Sequence, residues 1–274
     1  MTQFEKILTL PPARGDILVE EIAAGVVQLR INRPERMNAL GVETTKALRD
    51  SILDVLASQA RVLVIRGTGK AFSAGADLKE RKLMDEAARF AHNRLINAAV
   101  NAVDEADIPT IAALNGFALG GGCELALACD MRFAVRGIQI GLTEARIGAF
   151  PGAGGTQRLP RLIGVSRAME MILSGEPVSA ERAAEIGLVN QIASLEDFDA
   201  KVARFAGLLA SRSPSSTILA KKTIRQGLSG SLTQGLEIEC QSLLHVLDSP
   251  DYAEGLAAFA EKRPPNFASR SKKA

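Results

Sequence analysis

The chain has 274 residues, 47% apolar and 23% charged, the proportions of an ordinary globular protein with ample material for a core. Its 33 basic and 31 acidic side chains leave a net charge of +2, too small for a broad nucleic-acid-binding face. With 4% aromatics and no Trp, stacking platforms for single strands are disfavoured, although a local basic pocket for a phosphorylated ligand is not.

Residues 1–15 read as a loose lead-in, with Pro11-Pro12 and Gly15 breaking any element; Glu5 and Lys6 beside a short apolar run leave no signal-peptide h-region. Ile17 to Ile22 and Val26 to Asn32, around Ala24-Gly25, predict a β-hairpin. The segment from Asn32 to Leu40 reads as a loop, Val42 to Ala57 as a helix and Arg61 to Arg66 as a buried strand. Gly67 to Leu78 is a glycine-punctuated loop, and a helix over Asp85 to Val103 has an expected buried stripe of Ala87, Ala91, Leu95, Ala98 and Ala102. Ile108 to Leu114 is the next strand, Gly120 to Gly122 a turn into a helix containing Glu124, and Met131 to Val135 another strand.

Thr143 to Arg146 lies in a loop leading to Phe150-Pro-Gly-Ala-Gly-Gly-Thr156. Helices follow near 156–163, 166–173 and 179–186, the last capped by Ser179, and Leu188 to Ile192 is a late strand. The remainder is helical, near 196–211, 214–227, 231–247 and 251–262. The third of these four carries Leu232, Leu236, Cys240, Leu243, Leu244 and Leu247 on one face, suited to contact with the main body or another subunit. No stretch reaches the ~18 apolar residues of a membrane span. Cys123, Cys129 and Cys240 match no zinc spacing and read as buried reduced thiols, which suits a cytoplasmic protein. His92 and His245 lack a partner at i+4, so neither a metal site nor a His-based triad is expected.

Three consecutive glycines cost much backbone entropy, and make sense where N–H groups at a helix start must approach something closely. The turns Phe72-Ser-Ala-Gly-Ala-Asp77 and Leu119-Gly-Gly-Gly-Cys-Glu124 share one form, and side by side they can aim two amides at one oxygen, the geometry that stabilises an enolate or oxyanion. The plainer reading is a pair of tight corners, with Glu124 complementing a helix dipole. Gly67-Thr-Gly-Lys70 lacks the upstream glycine and following Ser/Thr of a P-loop, and Phe72 stands where a dinucleotide motif needs its third glycine. Glu144 reads either as a loop acid partnered with Thr143 or Arg146, or as a carboxylate facing Glu124 across a pocket. In the second case one acid accepts a proton from water while the other donates one to carbon.

Phe72-Ser-Ala-Gly-Ala-Asp-Leu-Lys79, Asn115-Gly-Phe-Ala-Leu-Gly-Gly-Gly-Cys-Glu-Leu125 and Pro151-Gly-Ala-Gly-Gly-Thr-Gln-Arg-Leu159 together resemble the crotonase (enoyl-CoA hydratase/isomerase) family, as do Asn32 to Leu40 and Ala258 to Arg263. The resemblance runs in order from about residue 17 to 267. It implies an α/β fold, a crotonase-type spiral of ββα units over 1–195 holding an acyl-CoA site. Residues 196–274 would then be a helical region for oligomerisation and CoA cover, in a homotrimer or dimer of trimers.

The implied oxyanion hole is the backbone N–H of Ala76 and Gly121. Glu124 matches the acid that deprotonates water, Glu144 the acid that protonates the α-carbon, and Gly152 a backbone group that helps hold the water. Ala76, Asp77, Leu78 and Lys79 would line the CoA adenine side, Arg36 would meet a phosphate, and Phe259 and Lys262 would reach CoA from a neighbouring subunit. Retention of both glutamates favours hydration of a 2-enoyl-CoA, with no metal and no redox cofactor, coenzyme A being part of the substrate. Leu142-Thr143 stand where short-chain hydratases have Gln-Pro, and methylglutaconyl-CoA hydratases are similar in having Gly-Leu near this Glu. The alternatives are a double-bond isomerase, a methylglutaconyl-CoA-type hydratase, a catalytically silent CoA-binding subunit, and an RNA-binding relative using Lys221-Lys222 and Arg270 to Lys273.

Overall fold

The computed structural model describes residues 8–267. The break at Ala24-Gly25 folds β1 (Ile17–Ala23) antiparallel onto β2 (Val26–Ile31). After α1 (Val42–Ala57), the chain repeats one manoeuvre. A buried strand, β3 (Val62–Gly67), turns into a short second strand, β4 (Ala71–Ser73), and then into helices α2 (Leu78–Lys82) and α3 (Glu86–Asp104). The next turn of the spiral is β5 (Thr110–Leu114), β6 (Phe117–Leu119) and α4 (Gly121–Ala128), followed by β7 (Met131–Val135) and β8 (Gln139–Gly141).

A 3-10 turn over Glu144–Ile147 precedes α5 (Gly155–Ile163) and α6 (Val165–Ser174), then β9 (Val178–Ser179), α7 (Ala180–Glu185) and β10 (Gln191–Ala193). Helices α8 (Leu195–Ala210), α9 (Pro214–Gly227), α10 (Leu232–Leu247) and α11 (Pro250–Ala260) complete the described chain. The first strands of each unit form a six-stranded sheet in the order β1-β2-β3-β5-β7-β10, parallel from β2 onward. The second strands form a four-stranded sheet, β4-β6-β8-β9.

A sheet covered on both faces explains why its strands read as near-continuous apolar runs. Val27, Leu29, Leu63 and Ile65 face Leu48, Ile52 and Val55 of α1 and Ile96, Val100 and Val103 of α3. Val26, Val62, Val64, Ile111 and Phe133 face Phe198, Val202, Ala206 and Ala210 of α8 on the other side. Helix α9 is tied to the body by ion pairs: Lys221 lies 2.7 Å and Arg225 2.8 Å from Asp130, and Lys221 also donates to the Ile108 carbonyl.

Several expectations are corrected. The buried stripe of α3 is His92, Ile96, Ala99, Val100 and Val103, whereas Ala87, Ala91 and Ala98 are exposed: on an alanine-rich helix the few large side chains decide the inward face. Cys123 and Cys129 are buried, but Cys240 is exposed on α10. The late strand begins three residues later than expected, and Leu188 and Val189 enter the core as part of the connection. The short strands β4, β6, β8 and β9 and the helix α2 lie within segments read as loops or helix starts. Ser179 does cap α7, accepting from the Arg182 amide. Among the described residues, no helix is long and apolar enough to cross a membrane. Arg270 to Lys273 and Glu5-Lys6 lie outside the described residues.

Candidate active site

The two glycine turns meet where β4 and β6 run side by side. Gly75 has φ +84°, and a Cβ there would lie 2.7 Å from the Gly121 nitrogen and 2.8 Å from the Leu119 carbonyl, so both conformation and contact demand glycine. Leu40 braces this turn from outside: its N–H donates to the Gly75 carbonyl at 2.7 Å, and its carbonyl accepts from the Asp77 N–H at 3.2 Å. That leaves the Ala76 amide between two braced neighbours. A Cβ on Gly121 would lie 3.6 Å from the Ala76 nitrogen, which places the amides of Ala76 and Gly121 next to one another. Among the described residues neither N–H donates to a protein acceptor, and Gly121 is the first residue of α4, where helix amides have no internal partner.

Glu124, one turn into α4, is only 3% exposed. Its Oε1 accepts from the Ala153 N–H at 2.6 Å and the Gly155 N–H at 2.9 Å, both from the glycine-rich segment before α5. Burial raises its pKa, and those two amides together with Arg158 and Arg81 oppose the rise. Glu144 opens the 3-10 turn, and its Oε1 lies 3.2 Å from the point a Cβ on Gly120 would occupy, beside the oxyanion turn. Its Oε2 is buried and without a hydrogen-bond partner among the described residues. Burial, and then the charge of Glu124, push the Glu144 carboxyl up to about 7. Arg146 pairs with Glu176 and not with Glu144. The structure therefore places Glu144 beside the turn that carries the Gly121 amide and within electrostatic reach of Glu124.

Gly152 joins them: its N–H has no protein acceptor among the described residues, and its carbonyl accepts from Asn93 and Asn97. Four polar residues near the glutamates, Arg81, His92, Asn93 and Asn97, were not anticipated there. Arg81, on α2, is half-buried, which lowers its pKa, and it feels the charges of both Glu124 and Glu144. Its Nε contacts His92 Nδ1 at 3.4 Å and its Nη2 contacts Asn93 Oδ1 at 3.5 Å. His92 is buried, which together with Arg81 lowers its pKa and keeps it neutral; its Nε2 meets the Leu40 carbonyl at 2.9 Å. The signal available in the sequence is the i, i+4 pair Asn93 and Asn97, which share a helix face.

The expected CoA-lining residues have diverse fates. Asp77 is buried, caps α2 through the Lys79 and Glu80 amides, and pairs with Arg33 at 3.0 Å and Arg36 at 2.9 Å. Burial works against its ionisation, but Arg36, the Glu80 amide and Arg33 together hold its pKa below the ordinary value. Arg36 thus donates to Asp77 through Nε and Nη2. Leu78 and Lys79 are exposed beside the pocket turn. Phe259, 87% exposed, and Lys262, at φ +53°, sit at the end of α11, which packs on α9 and α10. They take no part in the hydrogen bonds of the glutamate pocket.

The sequence profile of the family described as enoyl-CoA hydratase/isomerase matches residues 21–270. A crotonyl-CoA hydratase of Syntrophomonas wolfei is 36% identical over 88% of this chain and 94% of its own length. A mitochondrial methylglutaconyl-CoA hydratase of Mus musculus is 39% identical over 91% of this chain and 81% of its own. The crystal structure of an enoyl-CoA hydratase from Bacillus anthracis superposes with a TM-score of 0.90 at 41% identity, covering 92% of this chain and 99% of the other.

Proposed function

Since the chain belongs to the enoyl-CoA hydratase/isomerase family, we propose that it hydrates a 2-enoyl-CoA reversibly, by syn addition of water. The thioester oxygen sits against the N–H groups of Ala76 and Gly121. Ionised Glu124, with Oε1 already bound by two amides, presents Oε2 to a water also held by Glu144 and the Gly152 N–H. Glu124 takes one proton from that water as its oxygen bonds to the β-carbon. The double-bond electrons move toward the thioester oxygen as an enolate, stabilised by the two amides. Protonated Glu144 then delivers its proton to the α-carbon, and exchange between the acids and solvent resets the pair.

The observation that carries this reading is the unlike environment of the two acids. One is saturated on a single oxygen by amides that favour its charge, and the other has a buried, partnerless oxygen and a pKa of about 7. Unlike surroundings of this kind are how paired carboxyls are set apart as acid and base. No metal and no redox cofactor enters the scheme. Ala76 to Lys79 form the adenine side, with Asp77 and Arg36 acting there as a locked pair. Phe259 and Lys262 reach the CoA of a neighbouring subunit in a trimer or dimer of trimers.

The test is a panel of thioesters followed by enoyl absorbance, which hydration of crotonyl-CoA, longer and branched 2-enoyl-CoAs or methylglutaconyl-CoA removes and isomerisation of a 3-enoyl-CoA creates. Wild type is expected to consume one or more 2-enoyl substrates, and Glu124→Gln and Glu144→Gln each to lose roughly 10²–10⁴-fold in kcat while still binding acyl-CoA. Consumption of the 3-enoyl substrate alone would assign the isomerase instead. Unchanged turnover in both variants would overturn the two-acid scheme. Methylglutaconyl-CoA is included because Gly141-Leu142 precede the Thr143-Glu144 step here and because of the likeness to the mouse hydratase of that substrate.

A further inference from the structure

One peptide unit, Gly152 to Ala153, lies between α3 and Glu124. Its carbonyl accepts from Asn97 Nδ2 at 2.6 Å and from Asn93 Nδ2 at 3.2 Å. Its N–H, that of Ala153, donates to Glu124 Oε1 at 2.6 Å. A peptide is planar and trans, and no cis bond occurs in the described chain, so its C=O and N–H point in opposite directions on one rigid plate. Whatever aims the carbonyl therefore aims the amide. We propose that Asn93 and Asn97 are positioning residues that hold Glu124 through this one peptide, keeping Oε1 occupied so that Oε2 alone faces the water. The proposal rests on the reading of Glu124 as the base.

The asparagines are themselves oriented. Asn93 Oδ1 accepts from Arg81 at 3.5 Å, so its Nδ2 faces Gly152, and Asn97 Nδ2 is additionally anchored to the Asn93 carbonyl at 3.0 Å. Donors on a carbonyl polarise the peptide and strengthen its N–H as a donor, so two amides on Gly152 make Ala153 a better partner for a carboxylate. The chain of contacts continues away from the water. Arg81 meets His92, His92 meets the Leu40 carbonyl, and Leu40 braces the turn bearing the Ala76 amide. One face of α3 thereby supports the glutamate on one side and the oxyanion turn on the other. A clamp needed only for folding would have no reason to terminate on the carboxylate.

The experiment uses full-length protein with ¹³C-labelled glutamate carboxyls, the Glu124 signal being assigned by its disappearance in Glu124→Gln. Asn97→Leu, Asn93→Leu and the double variant keep the branched side-chain shape and remove the donors. Glu144 from the 3-10 turn, Arg81 from α2, Arg158 from α5 and Cys123 on α4 itself also face Glu124, and all remain in place. In Asn97→Leu the Glu124 carboxyl is expected to titrate about one pH unit higher, since an Ala153 N–H no longer aimed and polarised through the Gly152 carbonyl is a weaker donor to the charged form. The low-pH limb of kcat should move upward with it and kcat fall about tenfold, with KM within about twofold and Tm nearly unchanged. Asn93→Leu, which keeps the shorter bond, should show a smaller effect, and Asn97→Gln should restore part of the loss.

A Glu124 carboxyl that titrates as in wild type, or a kcat that falls only with the folded fraction, overturns the proposal. The titration needs no turnover. If wild type hydrates nothing but the carboxyl moves, the clamp stands and only the hydratase reading fails.

Discussion

Glu144 is the side chain whose surroundings most constrain the chemistry. Its pKa of about 7 lies above the ordinary 4.5 because burial disfavours the charged form. In the proposed scheme it is the acid of the pair, and the rate should then decline above pH 7 as it loses its proton. The rate should decline again in acid as Glu124 gains one. The stability consequence has the opposite sense to that of a salt-bridged carboxylate. A folded pKa raised above the unfolded one stabilises fully below pH 4.5, and the contribution is lost as pH rises through about 7. Glu144→Gln should thus be more stable than wild type at pH 8, by up to about 3 kcal/mol from the size of that shift, with the gap closing near pH 4 in urea melts. That Glu124 and Glu144 are the pair to watch was legible from residue type and from the turns around them. Arg81, Asn93 and Asn97 were not, because their meaning arises only when α2, α3 and the segment before α5 are packed together.

At the scale of elements, the spiral is built on close approach between turns. A Cβ on Gly122 would lie 2.3 Å from the Ser73 carbonyl, so Gly122→Ala must push α4 away from β4. It should destabilise by roughly 2 kcal/mol, the range of overpacking, and lower kcat more than a surface change of equal cost, because α4 carries both Gly121 and Glu124. Thermal melts beside steady-state kinetics would show it. Phe198→Ala, in the α8 layer far from the glutamates, is the matched control: about 3–5 kcal/mol of stability lost with kcat per folded molecule unchanged. Long elements such as α1 and the C-terminal helices were readable because their apolar period extends over many residues. Strands β4, β6, β8 and β9 are two or three residues long, too short to show a period, and their pairing is decided by neighbours distant in sequence. The α3 stripe misled for a related reason: alanine is apolar everywhere on that helix, while a buried, hydrogen-bonded His92 marks the true inward face.

Among the described residues, α10 leaves a run of apolar side chains uncovered. Leu232, Leu236, Leu243, Leu244 and Leu247 of α10 all stay exposed, Leu232 at 79%, whereas Phe198, Val202, Ala206 and Ala210 of α8 are buried on the sheet. The proposed trimer accounts for that contrast. Leu243→Glu with Leu244→Glu should shift sedimentation from trimer or hexamer to monomer, and a wild-type monomer would refute the assembly. Lys221, one of the lysines that suggested RNA, is instead bound to Asp130 and the Ile108 carbonyl inside the body, which weakens that alternative.

The central claim is that two acids act on one water and one α-carbon. It is tested most directly by running the reaction in water carrying both ¹⁸O and deuterium and reading the product by mass spectrometry. The account predicts one labelled oxygen on the β-carbon and one deuterium on the α-carbon of the same molecule, with both labels lost in Glu124→Gln and in Glu144→Gln. Deuterium without labelled oxygen, in a thioester whose double bond has merely moved, would contradict it.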